Sequence, residues 1–377
     1  MDTFLVILPR KLKLFLPVFA VLCFGAGLLL FPEPIKIAVS NSLLYCLKVL
    51  VPTLFPFVAL SSYAVHSGAA SSFGKVLGLG TKYLFRLPKI ATSTLILGFI
   101  GGYPSGAAGI SSLLKSGYIT KKQAGRMLLF CINPGVAFVV SFLGAGLLKN
   151  GQVGLFLFIA VTVSGILLGM VTAFFDKIPQ DIDTTTKQHA KSNNGNAIVL
   201  AASDAAKSMV KMCAAILLFS AFYSFLEGIG VIRMFSLWLS QLLHTSYYHS
   251  SGLLSMLFEI AAGVSKAVTY ASPSLFYAFA LAFAGFCVHF QVFSFFEEFP
   301  LSKLKFILFR FIHGFISAFL FSVLQRIFPQ TSSVFQNTGQ AVQSGGITMS
   351  AASGFFLLLM CIAFLLISSK TQLQKKE

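Results

Sequence analysis

Acidic side chains are scarce in this chain: 11 Asp and Glu stand among 377 residues, and only 10% of the sequence is charged. A soluble domain carries nearer a quarter. With 56% hydrophobic residues and a mean hydropathy of +0.85, the chain reads as a polytopic membrane protein. The shortage of carboxylates also removes enzyme classes. An aspartyl membrane protease needs two carboxylates sharing one site, and no aspartate falls inside a predicted span. The six histidines form no HExxH pair, and neither a GxSxG elbow nor a Walker A loop occurs. Cys23, Cys46, Cys131, Cys213, Cys287 and Cys361 stand singly in apolar stretches without a CxxC pair, which argues against a disulfide framework or a zinc site. The chain is therefore not expected to be an enzyme or to hold a metal or cofactor. A formal charge of +17 would point to nucleic acid in a soluble protein, but a polytopic chain gathers Lys and Arg in its cytoplasmic loops. Lipid, not nucleic acid, is the expected surroundings.

What is present is organised around Leu95 to Gly109, LILGFIGGYPSGAAG. Gly101, Gly102, Tyr103, Pro104, Ser105 and Gly106 interrupt an apolar run, and a helix does not pass undisturbed through adjacent glycines and a proline. The arms, Ile90 to Ile100 and Pro104 to Lys115, reach roughly 16 to 18 Å, short of a hydrocarbon core of about 30 Å. Basic segments flank both sides, Lys82, Arg86 and Lys89 before and Lys115, Lys121, Lys122 and Arg126 after. The stretch reads as a re-entrant hairpin, with a kinked spanning helix as the alternative. Non-helical backbone at membrane depth persists only where protein or a water-filled cavity satisfies it, so the tip is expected to line a solute path.

The first apolar run, Leu14 to Phe31, follows Arg10, Lys11 and Lys13 but leads into Pro32-Glu33-Pro34 without a small-residue cleavage site, and reads as a span. The expected domains are an N-terminal transmembrane helix over 1–34, a first repeat over 35–176, a cytoplasmic linker over 177–202, a second repeat over 203–328, and an outer loop with a C-terminal transmembrane helix over 329–377. Each repeat runs as a span, a broken short segment (Ser250 to Ser272 in the second), an interrupted span and a further span. With both termini inside, most Lys and Arg fall in inner loops, Arg310 counted among them; Lys36, Lys48, Lys149, Arg233, Lys266 and Arg326 are the exceptions. That topology makes the two broken segments enter from opposite faces. The expected fold class is an all-α polytopic membrane protein with two inverted-topology repeats, each with a re-entrant helical hairpin, flanked by additional transmembrane helices. Such repeats hold substrate between them near the midplane. Discontinuities are expected at Gly101 to Gly106, Asn133 to Gly135, Ala261 to Lys266 and Gly285 to Gln291.

Glu259 is the only acid deep in an apolar segment, with Asp204 and the others in loops, at their edges or at a span's end. An intramembrane ionisable group is a functional candidate by default: it coordinates a coupling ion, carries a proton or orients a solute, unless it pairs with Lys266. Lys266, beside Ser265, either meets an anionic solute or snorkels to the outer interface. Asn133, His289 and Gln291 stand at interruptions, where they contact ligand or bond between helices. With Gly102, Tyr103, Ser105 and Gly106 at the first tip, these are the candidate substrate-binding residues.

Gly101-Gly102-Tyr103-Pro104-Ser105-Gly106-Ala107, Lys121 to Arg126, Phe130-Cys131-Ile132-Asn133, Glu259 with Gly263, and Gly285-Phe286-Cys287-Val288-His289-Phe290-Gln291 together resemble the sporulation integral membrane proteins built from nucleoside-recognition (Gate) domains. Where that pattern has a Ser-Gly-Pro-like turn, this chain has Pro134-Gly135-Val136. The resemblance implies distant kinship with concentrative nucleoside transporters. It also implies a role in moving dipicolinic acid from mother cell toward forespore, in the cell membrane or the mother-cell-derived membrane around the forespore. The implied partner is then a small anionic solute, received by half-helix N-termini and Lys266, with a coupling ion or a second copy of the chain left open. Two alternatives stay open beside export: a nucleoside or related polar solute, and a sporulation membrane scaffold that transports nothing.

Overall fold

The computed structural model describes residues 10–67, 78–174 and 194–329; the expected last span, Ala351 to Ser369, lies outside them. Among the described residues the chain is helical without strands. The elements are α1 (Arg10–Leu30), α2 (Pro32–Tyr45), α3 (Val51–His66), α4 (Gly78–Leu84), α5 (Thr92–Ile100), α6 (Tyr103–Lys115), α7 (Lys121–Phe130), α8 (Ala137–Leu147) and α9 (Gly151–Phe174). The second half holds α10 (Asn194–Gly228), α11 (Val231–Leu242), α12 (Tyr247–Phe258), α13 (Ile260–Thr269), α14 (Ser274–Phe283), α15 (Gly285–Ser294) and α16 (Lys303–Ile327). Among the described residues four helices are long and apolar enough to cross a membrane, or up to six if each bent pair is one span.

Local chemistry sets several boundaries. Thr120 and Gln123 form a capping box that starts α7, and Pro32 opens α2 where a missing N–H is tolerated. Pro52 has no N–H for the carbonyl one turn back, and the segment Cys46–Leu50 between α2 and α3 widens into π winding, with the Val51 N–H donating to Cys46 O. α8 is π-wound throughout. The expected linker is shorter than 177–202, because α10 already begins at Asn194; Asp204 consequently lies within a helix and not at a loop edge.

Two antiparallel helical hairpins occupy the centre. In the first, α5 and α6 lie so close that a methyl built on Gly109 would sit 2.8 Å from Thr94 Cγ2, and one on Gly106 would sit 3.2 Å from Gly98 Cα. In the second, α12 and α13 do the same: a methyl on Gly252 would meet Ala267 Cα at 3.0 Å and one on Gly263 would meet Met256 Cα at 2.6 Å. The chain reverses at Gly101 and Gly102 in the first hairpin, where Gly102 takes φ 105°, a left-handed value that favours glycine. The first segment is thus a hairpin and not a kinked spanning helix.

The second reversal is at Glu259 and not over Ala261 to Lys266, which is helical within α13; Glu259 alone is extended, with φ −143° and ψ 109°. The interruption expected over Gly285 to Gln291 likewise sits one step earlier, in the left-handed pair Ala284 and Gly285, after which α15 runs unbroken. At the first-half interruption, residues 132–135 lie outside any helix.

Each interrupted span rests on the tip of the hairpin before it. A methyl on Gly135 would lie 3.2 Å from Gly101 O and 3.3 Å from Gly102 N. One on Gly285 would lie 2.9 Å from Met256 O and 3.4 Å from Ile260 N. The backbone at each break thus touches the backbone at each tip, a closeness that side chains there would forbid. The main buried core joins α5–α9 to α12–α16, and a second core joins Leu50, Leu54 and Val58 to Met209, Met212 and Ile216 of α10. Val210, Leu218, Phe315 and Phe319 on α10 and α16 are exposed, as lipid-facing residues are.

Candidate functional site

The two hairpin tips meet around one pocket of ≈ 470 Å³, its open mouth included. Gly102, Tyr103 and Pro104 line it from the first tip and Glu259, Ile260 and Ala261 from the second. The interrupted spans add Gly135 and Phe138 on one side and Val288 and Gln291 on the other. Tyr45, Leu50 and Leu54 of the α2–α3 region and Met212 and Ile216 of α10 complete the wall. Most of this surface is apolar and aromatic, with few polar groups, a lining of the kind that small-molecule sites have.

Each tip is held by its own hydrogen bonds. Ser105 Oγ lies 2.8 Å from Leu97 O and 2.7 Å from Gly102 O, fastening both arms of the first turn. The Tyr103 hydroxyl donates to Leu281 O of α14 at 2.7 Å, which ties the first tip to the second half. At the second tip Glu259 caps α13: Oε1 accepts from Ala261 N–H at 2.9 Å and Oε2 from Ala262 N–H at 2.6 Å. The carboxylate thereby meets the positive end of the half-helix.

The interruptions are stabilised in parallel ways. Asn133 Nδ2 donates to Phe130 O at 2.8 Å, a carbonyl at the end of α7, while its buried Oδ1 has no partner. His289 Nε2 donates to Phe283 O at 2.8 Å across the Ala284–Gly285 break, and its ring is enclosed by Phe283, Phe286 and Phe306. Gln291 reaches the pocket, with Nε2 donating to Cys287 Sγ at 3.2 Å.

Of the candidates named from sequence, Gly102, Tyr103, Glu259 and Gln291 line the pocket. Ser105 and Gly106 shape the first tip, and Asn133 and His289 satisfy carbonyls freed at the breaks. Lys266 and Ser265 stand apart. Lys266 does not pair with Glu259; its ammonium meets Glu227 at 2.6 Å and lies over the Tyr223 ring at 5.0 Å, clasping α13 to α10. Glu259 is extended at the N-cap of α13 and turns its carboxylate onto the first N–H groups of that helix, so it does not share the face on which Lys266 projects as it would in a continuous helix.

Three features escape the sequence. Tyr45, at the edge of one π-wound region, and Phe138, inside the other, reach the pocket, and such winding commonly marks functional sites. Arg310, counted above as a loop residue, is fully buried within α16. Its guanidinium donates to Ile132 O, to Leu129 O at 3.0 Å and to His313 Nδ1 at 2.6 Å, and His313 Nε2 donates to Val161 O at 3.0 Å. A cation thus sits at the carbonyl end of α7, where the helix dipole favours it. Third, Ser62 and His66 of α3 both donate to Oδ2 of Asp204 on α10, at 2.8 and 2.9 Å. Sharing one acceptor makes this a latch between helices; a nucleophilic relay would need serine bonded to histidine.

The chain is 23% identical over 339 residues to the sporulation integral membrane protein YlbJ of Bacillus subtilis (strain 168), which covers 83% of either chain. The chain is thus similar over most of its length to a sporulation integral membrane protein. No family model and no solved structure matches. The aligned length is far greater than the hairpin motif alone, so the similarity to this sporulation protein belongs to the helical architecture as a whole. Together with the apolar helices it supports a multi-pass membrane protein.

Proposed function

We propose that the chain is a secondary transporter or facilitator that exports a small aromatic carboxylate, dipicolinate, from mother cell toward forespore. The observation that carries the reading is the meeting of two half-span tips, each backed by an interrupted span, on one pocket. The paired order of hairpin and break in both halves supports inverted repeats, which place solute between them. Tyr45, Tyr103 and Phe138 offer flat surfaces to an aromatic ring. The membrane potential supplies a driving force: an unaccompanied negative charge leaving a negative interior gains about 2.3 kcal/mol per 100 mV.

A second reading has its own support. Among the lining residues none is Lys or Arg, and Glu259 with Gln291 suits a neutral solute rich in hydrogen-bonding groups, such as a nucleoside. Purified protein in liposomes separates the readings. The exporter moves dipicolinate, and Ser105→Leu, which wedges a branched side chain into the buried first tip, abolishes that movement and lowers the melting temperature in detergent. Movement of nucleoside without dipicolinate supports the second reading. Movement of neither supports a scaffold.

A further inference from the structure

Among the described residues Glu259 is the one charged residue lining the pocket. Its side chain caps α13, but capping alone does not call for a charge: neutral Ser, Thr and Asn are among the preferred caps, and this chain uses Thr120 and Ser246 for α7 and α12. A full carboxylate at a buried tip has to be explained by something else. The groups that face it are neutral. Tyr45 and Cys46 approach from the first half with Tyr103, and Cys287 and Gln291 from α15; Met212 and Ile216 of α10 are apolar. Lys266, further along α13, is engaged by Glu227, and Arg310 by the carbonyls that end α7. Each carboxylate oxygen accepts one backbone N–H and keeps a second acceptor site.

An anionic solute entering this pocket therefore meets a like charge with no lining cation to offset it. In a low-dielectric site that juxtaposition is prohibitive unless one of the charges is neutralised. We infer that the Glu259 carboxylate takes up one positive charge, a proton or a monovalent cation, whenever an anionic solute occupies the pocket, so that solute and charge cross together. The inference rests on the transport reading above and specifies its stoichiometry: a dianion crosses with a net charge of one, not two.

The net charge is read from the equilibrium distribution of dipicolinate across liposomes holding the full chain at an imposed potential. Each net charge shifts the distribution about tenfold at about 60 mV, from 2.3 kcal/mol per 100 mV and 1.36 kcal/mol per tenfold. At neutral pH without ion gradients the wild-type chain is expected to give about tenfold, and Glu259→Gln, permanently neutral, about a hundredfold. At zero potential a tenfold gradient of protons or of Na⁺ shifts the wild-type distribution about tenfold, and the effective gradient identifies the ion. A hundredfold wild-type distribution that ignores both gradients overturns the inference while leaving the transport reading intact. No dipicolinate movement by the wild-type chain overturns both. The wild-type gradients decide the matter even where Glu259→Gln is inactive.

Discussion

Arg310 is a buried cation held by carbonyls in place of a carboxylate. Removing it leaves Leu129 O and Ile132 O at the end of α7 and His313 Nδ1 without their donor, and each orphaned buried group costs about 1–3 kcal/mol. Arg310→Met is expected to destabilise the chain by about 3 kcal/mol or more, seen as a lower melting temperature in detergent; an unchanged melt would contradict the clasp. A single arginine in the apolar run of α16 reads as a loop-edge charge, because what stabilises it lies 181 residues away in sequence. Glu259 was legible by its isolation among apolar residues, its capping role was not, and the Glu227 partner of Lys266 is 39 residues distant. At the surface, Lys121 lies 2.5 Å from Glu298 and holds that carboxyl below its ordinary value. Any stability this gives is present above the ordinary carboxylate value and is lost as pH falls through the lowered one. In a carboxyl titration followed by NMR, Lys121→Ala is expected to return Glu298 to its ordinary range.

The two hairpins differ in how they announce themselves. The first tip is written as Gly-Gly-Tyr-Pro-Ser-Gly, whose glycines and proline mark a reversal directly. The second reverses within Leu257-Phe258-Glu259-Ile260, which has no such residue. Its break is made by the Glu259 side chain accepting from two backbone N–H groups in the first turn of α13 and by the approach of Gly285 from another span. Sequence spacing therefore found the hairpin and misplaced its bend. Close packing inside the arms gives a direct test. A methyl on Gly263 would sit 2.6 Å from Met256 Cα, whereas one on Gly25 in α1 meets nothing within 4 Å. Gly263→Ala is expected to cost about 1–3 kcal/mol by overpacking, and Gly25→Ala to be neutral or up to about 1 kcal/mol stabilising through helix propensity. Equal melting temperatures for the two variants would refute the packed hairpin.

In the molecule as a whole, lipid-facing helices surround two short hairpins whose tips share a pocket with two interrupted spans. Composition made the membrane character and the all-helical class legible, because apolar surface in lipid demands that backbone groups be satisfied within helices. The meeting of the tips was legible only as a consequence of an assumed topology, since residues 102 and 259 are joined by tertiary contacts alone. The most direct measurement of that meeting uses Pro104→Cys and Ala261→Cys, one from each tip, in chains whose native cysteines are replaced by serine. Dipicolinate is expected to slow modification of both thiols by a small reagent, with the same half-effective concentration at each. Protection at one tip alone, or at neither, would contradict a shared pocket.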